Sequence, residues 1–277
     1  MTKTWFISGA SSGLGREMTE QLLARGDVVA GTTRRAEALA DLQERHGDRL
    51  HVLRLELSDT ESVRSAVNEA FDRLGTVNVV VSNAGYGLVG AAEEVTDAQI
   101  AQQIAANLVG SIQLIRAALP HLRAQGGGRI VQVSSEGGQI AYPCFSLYHA
   151  SKWGIEGFIE AVSQEVAPFG IDFIIAEPGP TATNFREGAI HAEAMAVYDD
   201  TPAGQVRQAI RSGSFVLKGD AARTAAAMIS AADSVKPELR LVLGSTAYNA
   251  ISKALAERLA AVEGQRHVAL SADRPEA

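Results

Sequence analysis

Tyr148 and Lys152 stand four residues apart in a stretch with helical apolar spacing, which puts both on one helix face. An ammonium beside a phenol favours the phenolate and draws down a pKa that starts near about 10. That is the chemistry of a tyrosine moving a proton at neutral pH. The same spacing also serves plain surface packing, so the pair gains weight only from its surroundings.

A second feature lies at the other end of the chain. Gly9, Gly13 and Gly15 sit between an apolar run, Trp5-Phe6-Ile7, and a helical pattern through Met18, Leu22 and Leu23. Glycine tolerates positive φ and lets a ligand approach the backbone. The start of a helix offers unpaired N–H groups and a positive dipole end, which suits a pyrophosphate. The spacing is G-x-x-x-G-x-G rather than the common G-x-G-x-x-G, and small residues at such a turn also occur for structure alone. The next strand ends in Thr32-Thr33-Arg34-Arg35. Dinucleotide folds that bind a ribose 2′-hydroxyl place an acid near here. Two arginines instead offer planar donors for a 2′-phosphate, which points to NADP (NADPH over NADH) if a nucleotide binds at all.

These groups must be held by a regular frame. Strand-like runs at Trp5–Ile7, Val28–Ala30, His51–Leu55, Val77–Val81, Arg129–Val133, Ile171–Ala176 and Leu239–Leu243 alternate with helical patterns. The latter include Ala36–His46, one long helix over Asp97–Ala124, Ser146–Val166 and Ser252–Val262. Alternation of this kind specifies a parallel sheet with helices on both faces, and crossover handedness leaves few topologies. The expected fold is α/β, a Rossmann-like doubly wound parallel sheet of seven strands in the order 3-2-1-4-5-6-7. One domain is expected over residues 1–277, with a substrate-lid insertion at 185–215, where the alternation stops and no clear strand is visible. The tail after Gly264 is polar and expected to fray.

Composition narrows the function classes. The 277 residues are 46% hydrophobic, carry a formal charge of −7 and include a single cysteine, Cys144. No intrachain disulfide can form, and interleaved charges argue against nucleic acid and anionic membranes as main partners. No secretory leader or spanning apolar run is visible, so a cytoplasmic location is expected. The histidines lack ligand spacing, and no metal site is expected.

The ordered set Ser8-Gly9-Ala10-Ser11-Ser12-Gly13-Leu14-Gly15, Asn83-Ala84-Gly85, Asn107, Ser134-Ser135, Tyr148-His149-Ala150-Ser151-Lys152 and Pro178-Gly179 resembles the short-chain dehydrogenase/reductase family. Ser135 precedes Tyr148 by 13 residues, the family's usual separation. The resemblance covers Lys3 to Thr183 strongly and implies an oxidoreductase that moves hydride between a nicotinamide and a carbonyl or alcohol carbon. It implies that Tyr148 is the general acid or base, that Lys152 lowers its pKa and holds the nicotinamide ribose, and that Ser135 holds the substrate oxygen. It makes Asn107 the helix-bending residue that anchors a water relay. Cofactor contacts would come from Gly9, Ser11, Ser12, Gly13, Leu14 and Gly15 and from Arg34 and Arg35. Glu56 and Leu57 would meet adenine, while Asn83, Ala84 and Gly85 would close over the cofactor. Pro178, Gly179, Thr181 and Thr183 would line the nicotinamide. Helices spanning Ile100–Leu119 and Ser151–Val166 carry surplus apolar faces, and the resemblance makes them a homodimer or homotetramer interface. Two other readings are a non-catalytic NADP(H) sensor on the same fold and a sugar-nucleotide epimerase. The sensor reading is disfavoured by the intact Asn107, Ser135, Tyr148 and Lys152. Glu136, next to Ser135, is placed to touch a polar substrate, but a solvated loop carboxylate is the favoured reading. His149 reads as non-catalytic, and Cys144 as loop packing or pocket lining. Tyr86, Gln139, Ile140, Tyr142, Phe145 and Tyr198 are candidate pocket or lid residues by position.

Overall fold

The computed structural model describes residues 2–214 and 216–274; Met1, Phe215, Pro275, Glu276 and Ala277, at the limits of the expected domain and lid, lie outside the described residues. Among the described residues nine strands are seen: β1 (Thr4–Ile7), β2 (Val28–Thr33), β3 (Leu50–Arg54), β4 (Val79–Ser82), β5 (Leu88–Val89), β6 (Gly128–Val133), β7 (Ile171–Pro178), β8 (Ile190–His191) and β9 (Arg240–Leu243). Seven form one parallel sheet in the order β3-β2-β1-β4-β6-β7-β9. Counted within that sheet alone, this is the expected 3-2-1-4-5-6-7.

The strands are apolar on both faces because both are covered. Successive side chains alternate sides. Trp5, Ile7, Val79, Val81, Val131 and Ile174 pack with Met18, Leu22, Leu23 and Met228 from helices α1 (Gly13–Arg25) and α8 (Ala221–Asp233). Phe6, Val80, Ile130 and Phe173 face the other way. There they meet Val67 and Phe71 of α3 (Thr60–Leu74), Leu114 and Ile115 of α5 (Ser111–Ala124), and Ile155 and Ile159 of α6 (Ser146–Val166). Each fully buried aliphatic side chain contributes about 1.5–3 kcal/mol.

Helix α6 carries the proton-transfer pair. Its buried stripe runs through Tyr148, Lys152, Ile155, Ile159, Val162 and Val166. Those steps of three and four put Tyr148 and Lys152 on the stripe that packs on the sheet. Both are consequently buried, at 8% and 6% exposure.

The expected long helix from Asp97 to Ala124 is instead α4 (Asp97–Ile104), a wide π-turn over Ala105–Gly110, and α5. The reason lies in Asn107, whose amide donates to the Tyr86 carbonyl at 2.8 Å and accepts from the Tyr86 N–H at 3.1 Å. A residue bonded outward in this way widens the turn, and such turns recur at functional sites.

The insertion also differs from expectation. Ile190–His191 pairs with Leu88–Val89 as a two-stranded ribbon, and α7 (Pro202–Arg211) follows. Helix α2 spans Ala40–His46, preceded by a tight turn over Ala36–Leu39. The terminal helix α9 runs longer than expected, over Ser245–Gly264. The polar tail beyond it forms a further short helix, α10 (Arg266–Ser271), rather than fraying, because residues without a buried face can still close local helical hydrogen bonds. Among the described residues no helix is long and apolar enough to cross a membrane.

Candidate active site

A cavity of about 700 Å³ opens at the carboxyl ends of the sheet strands, between the β1–α1 turn and the insertion. Ligands in open α/β sheets bind at this edge.

The β1–α1 turn forms one end. Gly9 has φ +69°, and a Cβ on Gly15 would lie 2.3 Å from the Gly9 carbonyl oxygen, so only glycine allows the loop to fold this tightly against the helix start. Helix α1 has no acidic residue in its first turn and no side-chain cap, which leaves its first N–H groups free for an anion. Gly9, Ser11, Ser12, Gly13 and Leu14 line the cavity, whereas Gly15 lies behind them. The Ser8 hydroxyl accepts from the N–H groups of Asn83 (2.8 Å) and Ala84 (3.0 Å). The Asn83 amide in turn donates to the carbonyls of Ser8 and Gly9. These bonds lock the glycine turn to the strand β4 end, with Asn83, Ala84 and Gly85 in the cavity wall. Glu56 and Leu57 also face it. Of the two arginines, Arg34 lines the cavity and Arg35 does not.

The other end holds the reactive groups. Ser135, Tyr148 and Lys152 line one wall, with Pro178, Gly179, Thr181 and Thr183 from the β7 end beside them. The Ser135 hydroxyl accepts from the Gly137 N–H at 3.1 Å. The Lys152 ammonium donates to the Val133 carbonyl at 2.9 Å and lies 5.6 Å from the Tyr148 ring centre. Burial pushes the phenol up to about 12, with the Ser135 hydroxyl acting in the opposite direction. The lowering expected from lysine is not seen in the protein alone, where burial and the charges of Glu136 and Glu156 raise the phenol. Burial likewise lowers Lys152 to about 8, opposed by the Glu156 charge. At neutral pH the phenol keeps its proton and the lysine is mostly cationic.

Asn107 is buried behind this wall, outside the cavity lining, and fixes the Gly85–Tyr86 backbone. His149 is also outside the lining: its ring bonds the Gly137 carbonyl at 2.9 Å and accepts from the Tyr142 N–H, pinning the loop after β6. Cys144 is packed in the loop before α6, with its thiol toward the Ala203 carbonyl. Tyr86, Tyr142 and Phe145 line the cavity; Gln139, Ile140 and Tyr198 do not. Gln139 instead donates to Glu177.

Two residues emerge that the sequence reading passed over or misjudged. Phe185 stacks edge-on to Tyr148 with ring centres 5.8 Å apart and roofs it. Glu136 is buried at 6% exposure and lines the cavity, so it is not a solvated loop carboxylate. Burial holds its carboxyl up to about 7. Its position beside Ser135 was the only sequence signal for it.

The family model described as short chain dehydrogenase matches residues 3–194. An oxidoreductase of Botryotinia fuckeliana, BOA17, is 34% identical over 272 residues, spanning 98% of this chain and 99% of its own. A 3-ketodihydrosphingosine reductase of Bacteroides thetaiotaomicron is 34% identical over 65% of each chain. The crystal structure of a short-chain dehydrogenase from Streptomyces avermitilis superposes with a TM-score of 0.91 at 38% identity, covering 98% of both chains. The glycine turn, the serine–tyrosine–lysine wall and these likenesses together place the chain in the short-chain dehydrogenase/reductase family of nicotinamide-dependent oxidoreductases.

Proposed function

We infer that the protein is an NADP(H)-dependent oxidoreductase that interconverts a ketone or aldehyde and the corresponding alcohol. The observation that carries this is one cavity with an anion-ready glycine turn and Arg34 at one end and Ser135, Tyr148 and Lys152 at the other. The cradle fits a dinucleotide because Gly9 and Gly15 keep the turn flat and the α1 start uncapped. Gly9, Ser11, Ser12, Gly13 and Leu14 would hold the pyrophosphate, with Gly15 and Asn83 shaping the turn. Arg34, aided by Arg35, would take the 2′-phosphate, and Glu56 and Leu57 the adenine. Ala84 and Gly85 would cover the ribose side, and Pro178, Gly179, Thr181 and Thr183 the nicotinamide.

The bound nicotinamide supplies or accepts the hydride. Ser135 holds the substrate oxygen with its hydroxyl and stabilises charge growing there. Tyr148 gives its proton to that oxygen; a phenol held near about 12 is in the protonated state that reduction requires. The Lys152 cation, one turn further along α6, stabilises the phenolate left behind and offers a donor to the nicotinamide ribose. Asn107, through the π-turn, keeps the wall beneath Gly85 in place. The segment from Phe185 to Arg211, with Phe185 over Tyr148, acts as the substrate lid. Val109 and Trp153 are exposed on the α4–α5 and α6 surfaces and support a homodimer or homotetramer.

The test follows absorbance of the reduced nicotinamide with NADPH or NADH and a panel of aldehydes and ketones. Wild type should consume NADPH. Tyr148→Phe should bind NADPH yet lose turnover by about 10²–10⁴-fold. Turnover near wild type in that variant would refute the proton-transfer assignment.

A further inference from the structure

Four aromatic rings run in series along the wall of the reaction cavity. Tyr142, Phe145 and Tyr148 are spaced three apart where the chain enters α6, and Phe185 comes over from the insertion. Ring centres are 5.2 Å apart from Tyr142 to Phe145, 6.3 Å from Phe145 to Tyr148 and 5.8 Å from Tyr148 to Phe185. The interplanar angles are 69°, 72° and 61°. Each is an edge-to-face contact, in which the positive edge of one ring meets the negative face of the next. The series is braced at both ends. His149 packs edge-on against Tyr142 at 4.5 Å, and the Phe185 N–H donates to the Thr183 hydroxyl at 3.3 Å.

These rings are open to a ligand. All four line the cavity. Tyr142 and Phe145 are partly exposed, and Phe185 is 43% exposed, although phenylalanine is ordinarily among the buried residues. The Phe185 ring reaches across to Gly87, just before β5, where a Cβ would lie 3.2 Å from its Cε1; the missing side chain makes room for it. Val89 and Ile190 of the ribbon and Ile210 of α7 add aliphatic surface to the same lining. A carbonyl held at Tyr148 carries its substituents one bond away. A ring in that place falls within the ~4.5–7 Å over which aromatic centres meet, so it extends the edge-to-face series.

We propose that Phe145 and Phe185 are specificity-determining residues that hold an aromatic ring bonded directly to the substrate's reacting carbonyl. The proposal deepens the carbonyl-reductase reading and rests on it. The substrate class is thus an aryl ketone or aryl aldehyde rather than an alkyl one. A saturated ring of the same size fills the space, but it has no charged edge or face to set against the two phenyl rings.

The test is calorimetric binding of acetophenone and cyclohexyl methyl ketone, in the presence of NADP⁺, to wild type, Phe145→Leu, Phe185→Leu and Phe185→Tyr. The two ketones are alike in size and the saturated one is at least as apolar, so burial alone gives acetophenone no advantage. Acetophenone should nevertheless bind wild type on the order of 10-fold tighter, through edge-to-face contact with two rings. Each leucine variant should at least halve that ratio, and Phe185→Tyr, which keeps the ring, should retain it. Phe185 stands partly exposed on the insertion, so its variants keep the test open if Phe145→Leu fails to fold. Equal binding of the two ketones to wild type, or no binding of acetophenone, overturns the proposal, as does a ratio that survives Phe185→Leu. A loss of NADP⁺ affinity in Phe185→Leu with the ratio intact overturns it too, assigning the ring to the cofactor instead. Turnover with NADPH is read separately: selective binding of acetophenone without turnover of either ketone counts against the reductase reading while supporting the aromatic site.

Discussion

Glu156→Gln tests how the catalytic wall is supported from behind. Glu156 is 2% exposed; it accepts from the Ser134 hydroxyl at 2.5 Å and from Arg240 at 2.6 Å. Removing one partner of a buried ion pair costs about 3–5 kcal/mol. Arg240 retains Glu160 and Glu177 and its side chain is 30% exposed, so the expected loss is smaller, about 2 kcal/mol. Unfolding entropy near 2.1 cal/mol/K per residue gives this 277-residue chain roughly 0.6 kcal/mol per kelvin, so Tm should fall by about 3–4 °C. The second consequence is electrostatic. Burial lowers Lys152 to about 8, and the Glu156 charge one turn away opposes that fall. Without the charge Lys152 drops further, and less of it is cationic above neutral pH. The limb of the pH–rate profile where activity is lost on raising pH should therefore move to lower pH. The assay is NADPH consumption from pH 6 to 9, beside a thermal melt. An unmoved alkaline limb would refute the coupling to Lys152, and an unchanged Tm would refute the energetics of the cluster.

Two further outcomes are expected. Arg34→Ala should weaken NADPH by about 10-fold or more while changing NADH little, because a charge-assisted bond to phosphate is lost; equal weakening of both in a fluorescence titration would refute the 2′-phosphate role. Burial alone would raise the Glu94 carboxyl, but N–H bonds from Met195 and Ala91 and the Arg207 guanidinium hold it below its ordinary value. Glu94→Gln should thus loosen the lid, raising KM more than it lowers kcat and speeding hydrogen exchange over residues 186–213; unchanged exchange there would show that the ion pair does not latch the segment.

The parts legible in the sequence are those where one local rule dominates. The stripe from Tyr148 to Val166 repeats every three to four residues, so α6 is found with the boundaries its periodicity predicts. The seven strands stand out as β-branched runs because both faces of the sheet are covered. What escaped the sequence depends on contacts between distant segments. The family resemblance marks Asn107 as helix-bending, but the π-turn itself exists because Asn107 reaches the backbone of Tyr86, 21 residues away, and no helical periodicity encodes that bond. Helix α8 begins at an Asp220 cap and buries Ala225, Met228 and Ile229, but its alanines give a weak apolar pattern that becomes a face only against α1. The site shows the same division. Residue types and order are enough to single out Ser135, Tyr148 and Lys152. The proton affinities of Tyr148 and Lys152 are set first by burial, which lifts the phenol to about 12 and lowers the lysine to about 8. Glu136 is the sharpest instance, since a glutamate followed by two glycines has the local signature of an exposed turn. It is buried because those glycines let the turn settle onto His149 and Glu156.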